Sequence, residues 1–333
     1  MFAPRAGARF SGLRANAARP ISRKPFQCRI QVLQRDELVF SVVVPLLNER
    51  RWIGQVLSAL SAQTLDPALF EIVAVDNGST DGSLEILSRH PRISILHEAR
   101  RDPYLARNRG IAAAQGHYIV FVDADCIPRT DWLERLHNQV VDADPHIVLG
   151  HVGFPEGSSA FLRRYEEYYH AKLEYLFGHR LTDYYFGHAG NMAVRADVFA
   201  NLGYFVPMPV VGDTEILHRL LGHERTVEIR YAPEVRVVHA EIESLPLLLR
   251  KLFESGGYSE TCQQLSSYRI IPPSLKYRIF RACMQQNHYG PLEAATALAM
   301  LLAGWLTFAC GHLSTKWRTR AASQRLAKEP EAL

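Results

Sequence analysis

The chain has 333 residues, and 47% of them are hydrophobic, enough for one large domain or two modest ones with a packed core. Its net charge of +4 is uneven: residues 1–35 hold eight Lys or Arg and no Asp or Glu, which leaves 30 basic and 34 acidic side chains in the remainder. This balance excludes a body that binds nucleic acid through a basic surface. The five cysteines are scattered without a C-x-x-C, which argues against a disulfide framework or a zinc site and favours a reducing compartment.

The segment 1–36 is predicted to be a disordered basic tail, because it has little hydrophobic periodicity. Its acid-poor, Arg- and Ser-bearing composition also resembles an organelle transit peptide, and we favour the tail.

Four short apolar runs then predict buried strands, separated by helical patterns. The turn-rich run Asp76–Gly82 precedes the second helix, and Asp81 is predicted as its N-cap. Alternation of strands and helices predicts a parallel α/β sheet. The predicted strands cover residues 39–45, 70–75, 93–96 and 119–122, and the clearest helix covers 104–115.

Two carboxylates, Asp123 and Asp125, directly follow the fourth predicted strand. Open α/β sheets bind ligands at the carboxyl ends of their strands, and strand alternation points both side chains to one side. Two such carboxylates repel each other unless a cation lies between them, and their oxygens suit Mg²⁺ or Mn²⁺. The pair therefore predicts a metal site, with two simple loop aspartates as the alternative.

Six short motifs follow one another along the chain. They are Val43-Val-Pro-Leu-Leu-Asn-Glu49, Val75-Asp-Asn-Gly-Ser-Thr-Asp81, Ala106-Arg-Asn-Arg-Gly110, Phe121-Val-Asp-Ala-Asp125, Gly187-His-Ala-Gly-Asn-Met-Ala-Val-Arg195 and Gly212-Asp-Thr-Glu-Ile-Leu-His-Arg219. They occur in the order seen in family 2 glycosyltransferases, which this sequence resembles over roughly residues 38 to 240. The resemblance implies a GT-A fold, a Rossmann-like, mostly parallel nucleotide-sugar-binding sheet, and transfer that inverts the anomeric carbon.

The resemblance also implies roles for individual residues. Asp125 would hold Mg²⁺ or Mn²⁺, with Asp123 sharing the metal or lying on the ribose side. His239, at the end of a late strand, would be a further ligand, although a structural histidine is the alternative. The residues implied in binding the nucleotide sugar are Pro45, Glu49, Asp76, Arg107, Asp123 and Asn191.

The acceptor hydroxyl must lose a proton as it attacks, which calls for a carboxylate base. Asp213 matches the second position of the family's Glu-Asp pair, whereas Gly212 replaces the expected Glu. Glu215 is a rival base, and a helix N-cap is the alternative role for Asp213.

Residues 161–186 are rich in aromatic side chains, which either stack on sugar rings or fill the core. His188 falls in the predicted substrate loop with its role open. The rings are Phe161, Tyr165, Tyr168, Tyr169, Tyr175, Phe177, Tyr184, Tyr185 and Phe186.

Domain boundaries are predicted at 37–245 for the GT-A domain and 246–333 for a helical C-terminal region. In that region, residues 245–253 read as an amphipathic helix with Arg250 and Lys251 on its outer face, interrupted by Gly256-Gly257. A Q-x-x-R-W motif, typical of processive synthases, is not found, and one long apolar stretch indicates transfer of a single sugar.

The apolar segment 294–315 has about the length that spans a bilayer. Basic residues flank it on both sides, so a single span would place one flank outward, against the positive-inside rule. We therefore expect membrane association with both flanks at the cytoplasmic face. A true span and a helix buried against the domain are the alternatives.

The partners expected are a nucleotide sugar, UDP-linked by default, and a hydroxyl acceptor that is lipid-linked or otherwise, with no nucleic acid. A nicotinamide-dependent oxidoreductase is disfavoured, because Pro45-Leu-Leu-Asn replaces G-x-G-x-x-G after the first strand. The other alternative is a non-catalytic protein, either a membrane-associated protein that binds nucleotide sugars or a membrane or nucleic-acid adaptor that uses the basic N-terminus.

Overall fold

The computed structural model describes residues 38–207, 211–224 and 226–328. The predicted tail over 1–36 lies outside these ranges. The described residues form one compact unit, so the C-terminal helices pack on the body of the protein. The division at residue 245 remains a prediction, although a helix does begin there.

A single eight-stranded sheet runs through the body in the order β3-β2-β1-β4-β7-β6-β8-β5. Strands β1 to β4 are mutually parallel, and β6 pairs with β8 in parallel. Antiparallel pairing occurs where β7 contacts β4 and β6 and where β5 contacts β8. The strands are β1 (Phe40–Leu46), β2 (Phe70–Asp76), β3 (Ile93–His97), β4 (Tyr118–Phe121), β5 (Cys126–Pro128), β6 (Ile147–Gly153), β7 (Met192–Arg195) and β8 (Ile229–His239).

Helices cover both faces of this sheet, and two apolar clusters fill the space between the layers. Strand β1 is buried along its whole length, as its largely apolar sequence predicted. The helices are α1 (Ile53–Ser61), α2 (Ser83–Leu87), α3 (Pro103–Ala113), α4 (Trp132–Val140), α5 (Ala160–Gly178), α6 (Ala196–Leu202), α7 (Gly212–His223), α8 (Leu245–Leu265), α9 (Pro273–Gln286) and α10 (Pro291–Lys328).

The four predicted strands and the alternation with helices are confirmed, with small shifts of their ends. Strand β1 continues one residue beyond Pro45, which pairs with Val75 of β2. Strand β4 ends at Phe121, so Asp123 begins a turn closed by the bond from Cys126 N to the Asp123 carbonyl. Asp81 accepts from Ser83 N at 3.0 Å, but the N-cap position of α2 is Gly82.

The predicted interruption at Gly256-Gly257 is wrong, because α8 runs unbroken through both glycines. They serve the crossing of α8 and α10 instead. A Cβ on Gly256 would overlap the carbonyl oxygen of Phe308, and a Cβ on Gly311 would overlap that of Phe253. Glycine at these positions lets two helix backbones approach more closely than side chains would allow.

Helix α10 carries an apolar face that protein does not cover. Among the described residues, its stretch Pro291–Thr315 is the one helix long and apolar enough to cross a membrane by length and composition, and 22% of its most apolar window is buried. A core helix of a soluble protein would be mostly buried. The exposed side chains, listed in chain order, are Leu292, Leu298, Leu302, Trp305, Leu306 and Leu313.

Candidate active site

Two adjoining cavities lie beyond the carboxyl ends of the parallel strands, where open α/β sheets bind ligands. The first, of about 350 Å³, we call the carboxylate cavity, lined by Pro45, Glu49, Asp125 and Glu241. The second, of about 490 Å³, we call the aromatic cavity, lined by Tyr165, Tyr169, Lys172, Phe186 and Asp213. Pro103, Arg107, Asp123, His239 and Lys251 line both cavities.

Asp125 and His239 meet because β5 pairs with the end of β8, where Cys126 lies opposite His239. The Asp125 Oδ2 and His239 Nδ1 atoms are 3.4 Å apart, and the Cys126 thiol completes a buried cluster within 4.8 Å. His239 Nδ1 is buried and has no hydrogen-bond partner among the described residues. An orphaned ring nitrogen beside a carboxylate is a donor set that fits a divalent cation.

The charge states of this cluster support the fit. Burial, and then the nearby Asp123 carboxylate, raises the pKa of Asp125 to about 7. Burial, followed by the positive charge of Lys251, lowers the pKa of His239 to about 3, so its imidazole is neutral, the form that binds metals. Burial raises the pKa of the Cys126 thiol well above its usual range, so it remains protonated and is a poor ligand for a hard cation.

Asp123 has a different partner. Its carboxylate pairs with the guanidinium of Arg107, which α3 carries to the junction of the two cavities. Although burial opposes the change, Arg107 lowers the pKa of Asp123. Arg107 Nε is buried without a hydrogen-bond partner among the described residues, so one donor remains available to a ligand. The predicted sharing of a metal by Asp123 stays a prediction.

Three other predicted donor-binding residues differ in placement. Glu49 lines the carboxylate cavity, and burial, then Glu241, raises its pKa to about 7. Asp76 accepts from Gly78 N and Ser79 N at 3.2 and 3.0 Å, so its carboxylate closes a turn. Asn191 is not brought to either cavity.

The amide of Asn191 is used entirely inside the protein. It accepts from Trp132 Nε1 at 2.9 Å and donates to the carbonyls of His151 and Val235 at 2.8 Å. These bonds join α4, β6 and β8, so the side chain holds the sheet beneath the site.

Asp213 lies in the first turn of α7 with its carboxylate in the aromatic cavity. Ala189 N donates to its Oδ2 at 2.9 Å and Thr214 N donates to its Oδ1 at 2.8 Å, which fixes the carboxylate. The N-cap residue of α7 is Val211, so the alternative of Asp213 as the N-cap is wrong. The rival carboxylate of Glu215 is buried and pairs with Arg219 at 3.0 Å, outside both cavities.

The structure explains why Gly212 stands where the family pattern has Glu. The ring of Tyr104 packs against this position, and a Cβ on Gly212 would lie 2.8 Å from its Cε1 atom. The Tyr104 hydroxyl also accepts from Asp213 N at 3.4 Å. A tyrosine from α3 therefore fills the space of the missing side chain.

Two residues of this site were missed by sequence reasoning. Glu241 lines the carboxylate cavity and pairs with Lys251 at 2.6 Å. The prediction that Lys251 lies on an outer face is wrong, because α8 turns this residue inward while Arg250 remains exposed. Glu241 lies in the turn directly after β8, two residues from His239, and this closeness to a candidate ligand was the signal that could have found it.

The aromatic side chains of residues 161–186 divide between a cavity wall and the core, the two roles expected for them. Tyr165, Tyr169 and Phe186 line the cavity, whereas Tyr168 and Tyr185 are buried in the core and Phe161 is exposed. His188 also lines this cavity, and its Nδ1 accepts from Gly190 N at 3.1 Å.

Comparison with known proteins decides the family. The model of glycosyl transferase family 2 matches residues 41–203. Glycosyltransferase AglE of Haloferax volcanii is 33% identical over 223 residues, which cover 65% of this chain and 71% of that protein. The chain belongs to glycosyl transferase family 2. It is therefore a transferase, as its motifs predicted.

Other similarities are shorter or concern the fold. Glycosyltransferase GlyG of Streptococcus pneumoniae is 35% identical over 34% of this chain and 38% of its own length. The mannosyltransferase PcManGT of Pyrobaculum calidifontis, solved in complex with GDP-Man and Mn²⁺, has a TM-score of 0.53 at 20% identity over 92% of this chain and 85% of that one. The predicted Rossmann-like GT-A fold is confirmed.

Proposed function

We propose that this glycosyltransferase is an inverting, metal-dependent and non-processive enzyme. It moves one sugar from a nucleotide sugar, UDP-linked by default, to a hydroxyl group of an acceptor. The observation that carries the proposal is the pair of orphaned buried atoms, His239 Nδ1 and Arg107 Nε, at the junction of the two cavities. Buried donors and acceptors that have no partner within the protein are groups with which a bound polar ligand would pair.

The donor would occupy the carboxylate cavity. Glu49 would accept hydrogen bonds from the base or ribose, and Asp123, held by Arg107, would face the ribose. Arg107 Nε would donate to the diphosphate, a charge-assisted bond of the stronger kind. We assign Pro45 to the floor of this cavity, while Asp76 and Asn191 would act on the donor through the backbone they hold.

Asp125 and His239 would hold Mg²⁺ or Mn²⁺, and the bound cation would supply Lewis-acid stabilisation of the charge on the leaving diphosphate. PcManGT, of the same fold, is a protein solved with a nucleotide sugar and Mn²⁺ together, which agrees with this assignment.

The acceptor would enter from the aromatic cavity, opposite the donor. Asp213 would accept the proton of the acceptor hydroxyl as its oxygen bonds to the anomeric carbon. The bond from that carbon to the diphosphate breaks in the same displacement, and the nucleoside diphosphate leaves with the electron pair. The two backbone N–H groups on Asp213 hold its oxygens toward the cavity.

Membrane association at the cytoplasmic face is part of the proposal. Its support is the uncovered apolar face of α10. In a cysteine-free background, Ser323→Cys should react with an impermeant probe only from the cytoplasmic side. Labelling only from the outer side would mean that α10 spans the membrane. Recovery of all the protein in the soluble fraction would contradict membrane association.

A panel of UDP-, GDP- and dTDP-sugars tests the reaction. The enzyme should hydrolyse one nucleotide class with Mg²⁺ or Mn²⁺ and lose this activity in chelator. Full activity in chelator would contradict the metal role, and failure to bind any nucleotide sugar would contradict the function. Removal of residues 1–34 should leave nucleotide binding intact. The adaptor alternative predicts instead that the shortened protein loses its function, because an adaptor would act through this basic segment.

A further inference from the structure

One cationic side chain in the aromatic cavity pairs with no carboxylate among the described residues. Arg107 pairs with Asp123, Lys251 with Glu241 and Glu166 with His151, and the Asp213 carboxylate accepts two backbone N–H groups. Lys172 lines the same cavity, yet no carboxylate among the described residues pairs with it.

The ammonium of Lys172 is held by aromatic rings instead. Its Nζ lies 4.5 Å from the ring centroid of Tyr169 and 4.0 Å from that of Phe186. Cation–π contacts offset part of the cost of removing an ammonium from water. No hydrogen-bond acceptor for this ammonium is present among the described residues, so it can donate to an oxygen anion.

A second lysine lies close enough for its charge to act on Lys172, and it too has no carboxylate partner within the described ranges. Lys276 of α9 has its Nζ 4.8 Å from the ring centroid of Trp305 in α10. Burial, and then the charge of Lys276, lowers the pKa of Lys172 to about 7. Two neighbouring lysine charges that pair with no carboxylate in the part of the chain that the structure describes form an arrangement that a multiply charged anion would stabilise.

The same cavity extends toward α8 and toward α10, which carries the exposed apolar face. Leu248 and Leu252 of α8 and Phe308 of α10 line it, together with Tyr165. The bound molecule would therefore meet a carboxylate base at one end, an unpaired ammonium along one wall, and apolar surface toward α10.

We propose that Lys172 is the anion-binding residue of the acceptor site and that the acceptor carries a phosphate group besides the hydroxyl that reacts. This inference rests on the proposed function, because it assigns the aromatic cavity to the acceptor. The phosphate pairs with Lys172, the hydroxyl reaches Asp213, and apolar parts of the molecule lie against Leu248, Leu252 and Phe308. A phosphate lies within either a lipid headgroup or a water-soluble sugar phosphate, and the apolar end favours the lipid.

Three probes separate these sources in titrations with the full-length protein, with and without saturating UDP. Farnesyl phosphate carries the anion and an apolar chain, farnesol lacks the anion, and glucose 1-phosphate lacks the chain. Wild type should bind farnesyl phosphate about tenfold or more tightly than farnesol, because a hydrogen bond to a charged group contributes at least this much. Binding should persist in UDP.

Variants assign the effect to Lys172. Lys172→Met should weaken farnesyl phosphate binding about tenfold or more, Lys172→Arg should largely retain it, and Arg163→Met, exposed on the same helix, should leave it unchanged. Stronger, Lys172-dependent binding of glucose 1-phosphate would support the anion site with a water-soluble source. Equal binding by Lys172→Met and wild type, or displacement of the probe by UDP, would overturn the inference.

Hydrolysis of nucleotide sugars in the same preparations separates the two proposals. If hydrolysis is intact in Lys172→Met and phosphate binding never depends on this lysine, only the acceptor inference fails. If no nucleotide sugar is hydrolysed or bound while phosphate binding depends on Lys172, the proposed function fails instead.

Discussion

The two cavities are built in different ways. The carboxylate cavity is formed by residues at the ends of neighbouring strands, where Glu49, Asp125 and His239 each follow or finish a β-strand. The aromatic cavity is formed by helices that are distant in the chain, with α5, α8 and α10 supplying its walls. A cavity at strand ends is thus marked by short motifs, whereas one between helices depends on how those helices pack.

The largest effect should come from breaking the carboxylate cavity at Asp125. Asp125→Ala should abolish transfer and metal-dependent nucleotide binding, because it removes the carboxylate beside the orphaned His239 nitrogen. Its thermal stability without metal should match or exceed that of wild type, since a buried carboxylate near Asp123 is lost. Activity assays check the loss of transfer, and a thermal melt checks the stability. If Asp125→Ala is fully active and still depends on the metal, Asp125 is not a metal ligand.

Asp213→Asn changes the aromatic cavity at the carboxylate that we propose as the base. Transfer should fall by two or more orders of magnitude, roughly the contribution of a general base. Donor affinity should stay near that of wild type, because Asp213 lies in the aromatic cavity only. The matched control is Glu215→Gln, because the Glu215 carboxylate pairs with Arg219 outside both cavities. If Glu215→Gln loses transfer and Asp213→Asn does not, the wrong carboxylate has been assigned as the base.

A smaller effect is expected where the helices of the aromatic cavity cross. Gly256→Ala should destabilise the protein by about 1–3 kcal/mol, because its methyl group overlaps the Phe308 carbonyl and α10 must move. Gly222→Ala in α7, whose methyl group meets no atom within 4 Å, should be neutral or up to about 1 kcal/mol stabilising. Chemical denaturation measures both; equal stability of the two variants would contradict the close crossing.

The smallest effect concerns Glu166, which ties α5 to β6. Its carboxylate accepts hydrogen bonds from His151 Nε2 at 2.9 Å and from Phe154 N at 3.0 Å. Burial alone would raise the pKa of Glu166, but these two bonds lower it. A lowered carboxyl pKa gives stability that is present above the ordinary value of about 4.3 and is lost as pH falls through the folded-state pKa.

Glu166→Gln should therefore cost about 1 kcal/mol at neutral pH, and its deficit should shrink under acid conditions. The exposed Glu156→Gln is the control. Stability curves against pH that run parallel for Glu166→Gln and wild type would show that this carboxylate is not the group that titrates.

The same difference in construction explains what could be predicted from sequence. Asp125 and His239 could be placed at the carboxylate cavity because buried strands have a recognisable pattern and end in a known place, while their role as metal ligands stays a prediction. Lys172 and Lys251 lie on helices whose rotation depends on packing, so Lys251 was placed on the wrong face. Gly256-Gly257 was taken for a break because glycine is a poor helix former, whereas the contact with α10 outweighs that preference. Asn191 was expected at the ligand, but its amide is used by three internal bonds.

The most direct test of the central claim is an anomalous difference map from crystals grown with UDP and MnCl₂. The account predicts one Mn²⁺ peak bound by Asp125 and His239, with the diphosphate beside it and Arg107 Nε within hydrogen-bond distance of a phosphate oxygen. A nucleotide bound in the carboxylate cavity with no metal there, or a metal bound by other residues, would contradict the account.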